Sequence, residues 1–220
     1  MHTNIHSIKI LILKLKLIIG YSITDIAKFL NYPIPINIKY NKGFAGQLIE
    51  YYLIGRHINN KYHQDFEHLG IEIKTITINK NFNVLNDSYI CTCSLFKNNN
   101  MFWNTSILYK KLSIILWIPI ITNSINTPLK ERIIGHPKLW SPTVDEKKIL
   151  YKDWYNLIQL LILGQIQELN NYYGSILIIK NKSNKKQNTK FIDYLGNVCY
   201  TSPKAFFLKK TFFNNTNFFM

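Results

Sequence analysis

The run of residues 71–78, IEIKTITI, constrains the fold of this chain more than any other segment. Apolar and polar side chains alternate along it, and this alternation predicts a half-buried β-strand. Successive side chains of a strand point to opposite faces, so Glu72 and Lys74 are expected on one face with their Cα atoms about 6.7 Å apart. A carboxylate and an ammonium are therefore predicted side by side on a strand whose isoleucines pack into the core.

Acidic residues are crowded around the start of this strand, although the chain has only 12 of them against 27 Lys and Arg. Four lie between positions 50 and 72, namely Glu50, Asp65, Glu67 and Glu72. Asp65 precedes a His-Leu-Gly turn that would direct it to the same place as Glu72, and a helix through the amphipathic stretch around Glu50 would present that residue there as well. Hard cations bind carboxylate oxygens where substrate phosphates complete their shell, so the cluster indicates a divalent metal facing a phosphodiester.

Lys74 would have a chemical role in such a site. Its ammonium would orient the attacking water or help to deprotonate it, and it would offset developing negative charge. The alternative is that the D-x6-E-x-K spacing is accidental and marks a solvated strand face with one ion pair.

The net charge of +15, with a pI of about 9.6, favours a polyanionic partner. Nucleic acid is the first candidate and an anionic membrane the second, because each neutralised phosphate releases counterions. The tail of residues 176–220 combines strand-like runs with KNKSNKK and PKAFFLKK. Aromatic residues interleave with its lysines, as they do where side chains contact phosphates and bases together, although a charge run is usually a solvated face.

Cysteine usage and the first apolar run indicate the setting of the protein. Cys91, Cys93 and Cys199 form no zinc pattern, and their odd number argues against a disulfide framework, which predicts a reducing, cytoplasmic location. The apolar run of residues 8–19 is interrupted by lysines and is shorter than the roughly 20 residues of a membrane span. It predicts a packed helix, with a helix on a membrane surface as the alternative.

The remaining signals predict one mixed α/β domain of 220 residues. Residues 22–25 resemble a capping box and predict the start of a helix. A second strand is predicted over residues 89–96 and a buried one over residues 114–121. The Ser-Pro pair at 141–142 is expected to cap a long helix that ends at about Asn170. The predicted core stripe of that helix consists of Leu150, Trp154, Leu157 and Leu161.

Six strings taken in order resemble the MutH family of DNA mismatch repair endonucleases: NKGFAGQLIEYYLIG, QDFEHLGIEIKT, LWIPI, RIIGHPKLWSP, LILGQ and PKAFFLKK. The resemblance extends from about Gly20 to the C-terminus. It implies a restriction-endonuclease-like fold, in which a mixed sheet flanked by helices forms two lobes around a DNA-binding cleft. N-terminal helices at about 1–30 and a basic C-terminal region at about 176–220 would belong to this single domain.

The resemblance also implies an activity and its partners. The expected enzyme is a monomer, not associated with a membrane, that uses Mg2+ to nick the unmethylated strand of double-stranded DNA at hemimethylated GATC sites. MutL is expected to activate it after mismatch recognition by MutS. Asp65 and Glu72 match the metal-binding acids, Lys74 the catalytic lysine and Glu50 an upstream active-site glutamate. The positions that match DNA contacts are Lys42, Tyr89, Lys111, Lys180, Lys182 and Phe207.

Two departures from the family concern sequence recognition. Residues 180–182 are Lys-Asn-Lys where the family has Arg-Pro-Lys, and residues 205–207 are Ala-Phe-Phe where it has Gly-Phe-Tyr. Lysine lacks the planar fork that binds guanine bidentately, and phenylalanine lacks a hydroxyl, so weaker discrimination of GATC from similar sites is expected. The alternatives are a related GATC-specific type II restriction endonuclease and a non-catalytic DNA-binding protein.

Overall fold

The computed structural model describes residues 7–36, 43–55, 64–95, 102–124, 126–169, 173–182 and 189–220. The chain divides into two compact units, each built from segments that are separate in the sequence. The first unit comprises residues 1–85, 114–140 and 217–220, and the second comprises residues 86–113 and 141–216.

The helices and strands of the described residues are as follows. The helices are α1 (Ile8–Lys16), α2 (Ile23–Phe29), α3 (Phe44–Ile54), α4 (Ile107–Ser113), α5 (Val144–Ile162) and α6 (Lys210–Asn215). The strands are β1 (Glu72–Ile78), β2 (Ser88–Cys93), β3 (Ile115–Ile121), β4 (Ile133–Ile134), β5 (Lys138–Trp140), β6 (Leu177–Asn181), β7 (Thr189–Ile192), β8 (Val198–Thr201) and β9 (Lys204–Leu208).

The sheet of the first unit is mixed. β1 pairs in parallel with β3 along its whole length, and β3 pairs antiparallel with β4 and β5. Both strands were predicted from their apolar patterns, and the predicted mixed α/β architecture is confirmed. β3 is buried along nearly its whole length, as its continuous apolar run predicts.

Pro119 lies within β3, where a missing N–H would normally cost a ladder hydrogen bond. Its carbonyl accepts a hydrogen bond from the Gly135 N–H at 2.8 Å, in the gap between β4 and β5. The nitrogen and the carbonyl of one strand residue face the same edge, so the proline nitrogen faces this gap as well. The sheet therefore accommodates the proline without losing a strand pairing.

Helices α1, α2 and α3 share one core cluster with β1 and β3, to which Ile73, Leu116 and Ile118 contribute. The capping box predicted at the start of α2 is present: Ser22 Oγ accepts from the Asp25 N–H, and Asp25 Oδ2 accepts from the Ser22 N–H, both at 3.1 Å. The hydrogen bond from the Ser22 hydroxyl lowers the pKa of the Asp25 carboxyl. In the described parts of the chain, no helix combines the length and the hydropathy needed to cross a bilayer.

The second unit contains a three-stranded antiparallel sheet in the order β2-β9-β6, and a separate hairpin of β7 and β8. Helix α5 packs against β6. The carboxylate of Asp153, on α5, accepts backbone N–H groups of Ser175, Ile176 and Leu177 at 2.8, 2.8 and 2.9 Å. A buried acid of the helix thus fixes the beginning of β6.

Both predicted ends of α5 are wrong. The helix begins after Thr143, whose Oγ1 accepts from the Glu146 N–H while Glu146 accepts from the Thr143 N–H, so this capping box replaces the Ser-Pro pair at 141–142. The helix ends at Ile162 instead of near Asn170, because Gly164 takes a left-handed φ of +69°. A Cβ on Gly164 would lie 2.4 Å from the backbone of Asp193, so a neighbouring loop occupies the path of a longer helix.

One residue of the predicted core stripe and one strand boundary also differ from the prediction. The core stripe of α5 is buried at Leu150, Trp154 and Leu157, whereas Leu161 is only half-buried, since it lies next to the end of the helix. β2 ends at Cys93, earlier than expected, and Phe96 lies outside the described residues.

Candidate active site and nucleic-acid interface

Glu72 and Lys74 lie at the beginning of β1 and contact each other. The Lys74 ammonium donates a hydrogen bond to Glu72 Oε1, as the strand alternation predicts. The Glu72 side chain is only 1% exposed, whereas that of Lys74 is 18% exposed. Ile76 and Ile78, which share this face farther along β1, are buried. This face of β1 therefore carries the charged pair at its beginning and packs into the core at its end.

Asp65 reaches the same place through a tight turn. Phe66 and Ile71 exchange two backbone hydrogen bonds, and the chain reverses through a short 3-10 turn at Glu67–Leu69. This reversal allows Asp65 Oδ2 to accept the backbone N–H of Ile73 at 2.8 Å. Ile73 lies between Glu72 and Lys74 in the chain, so the structure brings all three predicted side chains to the start of β1.

Glu50 lies on α3, as predicted, and is half-buried. The helix approaches β1 at Gly46, where an added Cβ would lie 3.6 Å from Thr75 Oγ1. Residues four apart share one side of a helix, so Glu50 extends from the side of α3 that faces β1. The pKa of Tyr32 is raised by burial and, to a lesser extent, by the negative charge of Glu50.

The donor set of Asp65 and Glu72 fits a hard cation. In the described ranges, no three or more His, Cys, Asp or Glu side chains lie close enough together to form a metal site on their own. Mg2+ is usually bound through one or two carboxylates, with waters and substrate phosphates as its other ligands. Two carboxylates held at the start of β1 therefore suit Mg2+ better than a metal that needs an all-protein cage.

A second group of predicted residues meets in the second unit. The rings of Tyr89 and Phe207 pack edge to face, with centroids 5.7 Å apart. Lys182 Nζ lies 5.6 Å from the centroid of the Tyr89 ring and donates a hydrogen bond to Thr92 Oγ1 at 3.0 Å. The Tyr89 and Thr92 hydroxyls are 3.1 Å apart. An aromatic pair, a hydroxyl and an ammonium thus form one cluster.

Strand register places Lys180 on the same face. Thr92, Ala205 and Lys180 are aligned across β2, β9 and β6, and Tyr89 and Phe207 are aligned one step along. The register of β2 shifts between residues 89 and 91, so that β2 has an extra residue there in a β-bulge. We call Tyr89, Thr92, Lys180, Lys182 and Phe207 the basic-aromatic face.

Two of the predicted DNA contacts are not part of the basic-aromatic face as the described residues define it. Lys111, on α4, is only 5% exposed, so its side chain offers little surface to a phosphate. Lys42 lies outside the described residues.

Two polar residues of this region were not predicted from the sequence. Thr92 binds Lys182, and Asp87 accepts a hydrogen bond from the Lys180 ammonium. Thr92 and Lys182 are 90 positions apart, and Asp87 and Lys180 are 93 apart. The scarcity of acids was the one sequence signal that could have drawn attention to Asp87.

The mixed sheet with its flanking helices has the architecture of the restriction-endonuclease-like fold. Residues 54–153 match the family model described as DNA mismatch repair enzyme MutH. The DNA mismatch repair protein MutH of Photorhabdus laumondii is 37% identical over 90% of this chain and 86% of its own length. The MutH protein of Buchnera aphidicola (subsp. Baizongia pistaciae) is 38% identical over 88% of this chain and 88% of its own length. That of Yersinia pestis is 35% identical over 87% of this chain and 84% of its own length. The chain belongs to the MutH family and is a DNA mismatch repair endonuclease.

Proposed function

We propose that Asp65, Glu72 and Lys74, together with Glu50, form the active site of an endonuclease that nicks the unmethylated strand of hemimethylated GATC sites with Mg2+. The observation that carries this proposal is the convergence of three side chains at the start of β1. Asp65 is hydrogen-bonded to the Ile73 N–H, and Lys74 contacts Glu72. Membership of the MutH family supports the choice of DNA as the substrate.

Each residue has a role that follows from its surroundings. Asp65 and Glu72 would hold Mg2+, which supplies Lewis-acid activation of a water and of the phosphate. The hydrogen bond from Ile73 fixes the direction of the Asp65 carboxylate before any ligand binds. Lys74 is partly exposed, so its ammonium can donate to the attacking water or to a non-bridging phosphate oxygen and stabilise the negative charge that develops.

Glu50 would complete the acidic side of this site. Its position on the side of α3 that faces β1 supports a role in holding a ligand water or in accepting its proton. Burial of part of its side chain restricts its rotamers and limits where its carboxylate points.

DNA recognition would use the basic-aromatic face. Lys180 and Lys182 can donate hydrogen bonds to acceptors of base edges or phosphates, and the exposed part of the Tyr89 ring offers a flat apolar surface. In the major groove, a methyl group on adenine N6 alters both the shape and the hydrogen-bonding capacity of the base, which allows methylation to be sensed. The contribution of Phe207 to that sensing would be steric, since its ring has no hydroxyl.

The proposed setting follows the family. The 220 residues would act as one endonuclease domain and as a monomer in the cytoplasm, without a membrane partner. MutL would activate it, and MutS would act through MutL.

Incubation of the protein with Mg2+ and a hemimethylated GATC duplex tests this function. We expect nicking of the unmethylated strand that increases when a MutL protein is added. Asp65→Asn keeps an acceptor for the Ile73 N–H but removes the charge, and Lys74→Ala removes the ammonium. Each should lower the nicking rate at least about a hundredfold, because each removes a group that acts on the reacting phosphate. DNA affinity, measured by fluorescence anisotropy, should change little.

Lys80→Ala is the matched control, since Lys80 is an exposed lysine in the turn that follows β1. Wild-type nicking rates in Asp65→Asn or Lys74→Ala would contradict the assignment of the active site. Cleavage of both strands without MutL would instead identify a type II restriction endonuclease. Tight binding without any nicking would identify a non-catalytic DNA-binding protein.

A further inference from the structure

Asp87 connects three elements of the second unit. It directly precedes β2, and its side chain is 19% exposed. One carboxylate oxygen accepts a hydrogen bond from the Lys180 ammonium on β6. The other accepts the backbone N–H of Lys210, the first residue of α6, at 2.8 Å. Both oxygens are therefore engaged, and one of them fixes a lysine of the basic-aromatic face.

An acid at this place has an electrostatic cost. The chain carries 12 acidic residues against 27 basic ones, and a carboxylate next to a surface that binds DNA repels phosphates. Asp87 also neutralises much of the charge of Lys180, which weakens any contact that depends on charge alone. A lysine whose only function was to attract phosphate would bind DNA better without this partner.

The hydrogen bond to Asp87 fixes the direction of the Lys180 ammonium. A lysine side chain is a flexible stem with three rotating donors, and it lacks the planar fork by which arginine presents its N–H groups in fixed directions. When one N–H bond of Lys180 points at Asp87, the other two are confined to the remaining tetrahedral directions. Guanine offers two acceptors, O6 and N7, in the major groove, and recognition of these acceptors requires directed donors.

We propose that Asp87 is a positioning residue that orients Lys180 for base recognition and thereby determines part of the sequence specificity of the enzyme. The inference rests on the proposed function, in which Lys180 contacts DNA. Asp87 compensates in part for the absence of arginine at position 180. Lys182 does not depend on Asp87 in this way, because Thr92 and the ring of Tyr89 hold its ammonium.

The test compares kcat/KM for nicking of a GATC duplex with kcat/KM for duplexes that carry single base changes. Asp87→Asn retains an acceptor oxygen for the Lys210 N–H but loses the charge that holds the ammonium. We expect the ratio of the two kcat/KM values to fall about tenfold, which corresponds to the loss of one directed base contact. Affinity for non-cognate DNA should rise, because the variant carries one more net positive charge.

Asp145→Asn is the matched control, since it removes the same charge from an exposed ion pair with Lys148 on α5. It should leave the ratio unchanged. A purely structural role of Asp87 would lower the thermal unfolding midpoint without changing the ratio, and that result would overturn the inference.

A double-mutant cycle decides whether Asp87 acts through Lys180. Lys180→Met keeps the bond between Asp87 and Lys210 but removes the ammonium, and it should lower the ratio by a similar factor. Adding Asp87→Asn to Lys180→Met should then have no further effect. An additional loss in the double variant, or wild-type discrimination in either single variant, would contradict the inference. If Asp87→Asn fails to fold, Asp87→Glu takes its place, because it keeps the charge but moves the carboxylate by one methylene group; wild-type discrimination in that variant would contradict the inference.

Nicking by the wild-type protein distinguishes failure of the proposed function from failure of this inference. A wild-type enzyme that does not nick GATC sites contradicts the proposed function. In that case the role of Asp87 is measured from competition binding between the duplex that the wild type prefers and its single-base variants, with the same expected tenfold loss.

Discussion

At the scale of single residues, the site at the start of β1 combines a buried charge with a partly exposed one. Glu72 is almost completely buried, and burial of a carboxylate is unfavourable unless charged or hydrogen-bonding groups compensate for it. The Lys74 ammonium supplies part of this compensation. Buried ion pairs seldom add much stability over neutral residues of similar shape, whereas removal of one partner alone is costly. The pair is therefore better explained by chemistry than by stability.

This explanation predicts a pattern of stabilities, measured by denaturant unfolding without divalent metal. Glu72→Gln should change the free energy of unfolding by less than about 1 kcal/mol, because it removes the buried charge and leaves only the partly exposed Lys74 ammonium without its partner. Lys74→Met should lower it by about 2 kcal/mol, less than for a fully buried pair because Lys74 is partly exposed.

The double variant should recover most of the stability lost in Lys74→Met, since no buried charge is then left at position 72. None of the three variants should nick DNA. A loss of several kcal/mol in Glu72→Gln alone would show that the carboxylate is a structural element.

At the scale of elements, β6 depends on α5 for its position. The Asp153 side chain is 2% exposed and accepts three consecutive backbone N–H groups before and at the start of the strand. Gly174 precedes them with a φ of +91°, and a Cβ there would lie 1.9 Å from the Leu177 carbonyl oxygen. The backbone folds tightly around one carboxylate, and β6 then carries Lys180 to the basic-aromatic face.

Asp153→Asn should therefore weaken both the fold and DNA binding. An amide has one acceptor oxygen and brings an NH2 group against backbone donors, so the free energy of unfolding should fall by about 3 kcal/mol. DNA affinity, measured well below the unfolding temperature, should fall as well, because the position of Lys180 depends on this anchor. Asp145→Asn on the exposed side of α5 is the control and should have little effect. Unchanged stability in Asp153→Asn would exclude the anchoring role.

Elements with local signals were predictable from the sequence, and elements fixed by distant contacts were not. The capping box at Ser22 and the strands β1 and β3 follow from patterns within a few residues. The start of α5 was wrong because two capping signals compete there, and the box of Thr143 and Glu146 supplies two hydrogen bonds. Its end was wrong because the loop at Asp193 blocks a longer helix at Gly164.

The same distinction applies to the candidate site. The meeting of Glu72 and Lys74 follows from a spacing of two residues in a strand. Prediction of the position of Asp65 depended on the turn that follows it, which the His-Leu-Gly segment indicated. Asp87 and Thr92 were missed because their partners are about 90 residues away in the chain, and no local pattern encodes such a pairing.

At the scale of the whole molecule, the net charge of +15 determines how binding responds to salt. Contacts between lysines and phosphates release condensed counterions, so binding weakens as the salt concentration rises. This term is independent of sequence, whereas the basic-aromatic face would supply the preference among sequences. Affinity and specificity should therefore respond differently to ionic strength.

DNA binding measured at several salt concentrations tests this separation. With at least about six phosphate contacts, affinity should fall roughly a thousandfold between about 50 and 200 mM salt. Duplexes with and without a GATC site should lose affinity in parallel, so that their ratio changes little. A nearly flat salt dependence would mean that few of the 27 basic residues contact the phosphate backbone.

The bulge in β2 has a consequence for how this protein can diverge. Tyr89 and Thr92 are three positions apart, and in a regular strand they would point to opposite sides of the sheet. The extra residue turns both hydroxyls to one side, while Ile90 and Cys91 are both buried. Loss of a single residue between them would send the phenol inward and separate it from the Lys182 ammonium. This segment should therefore tolerate substitutions better than insertions or deletions.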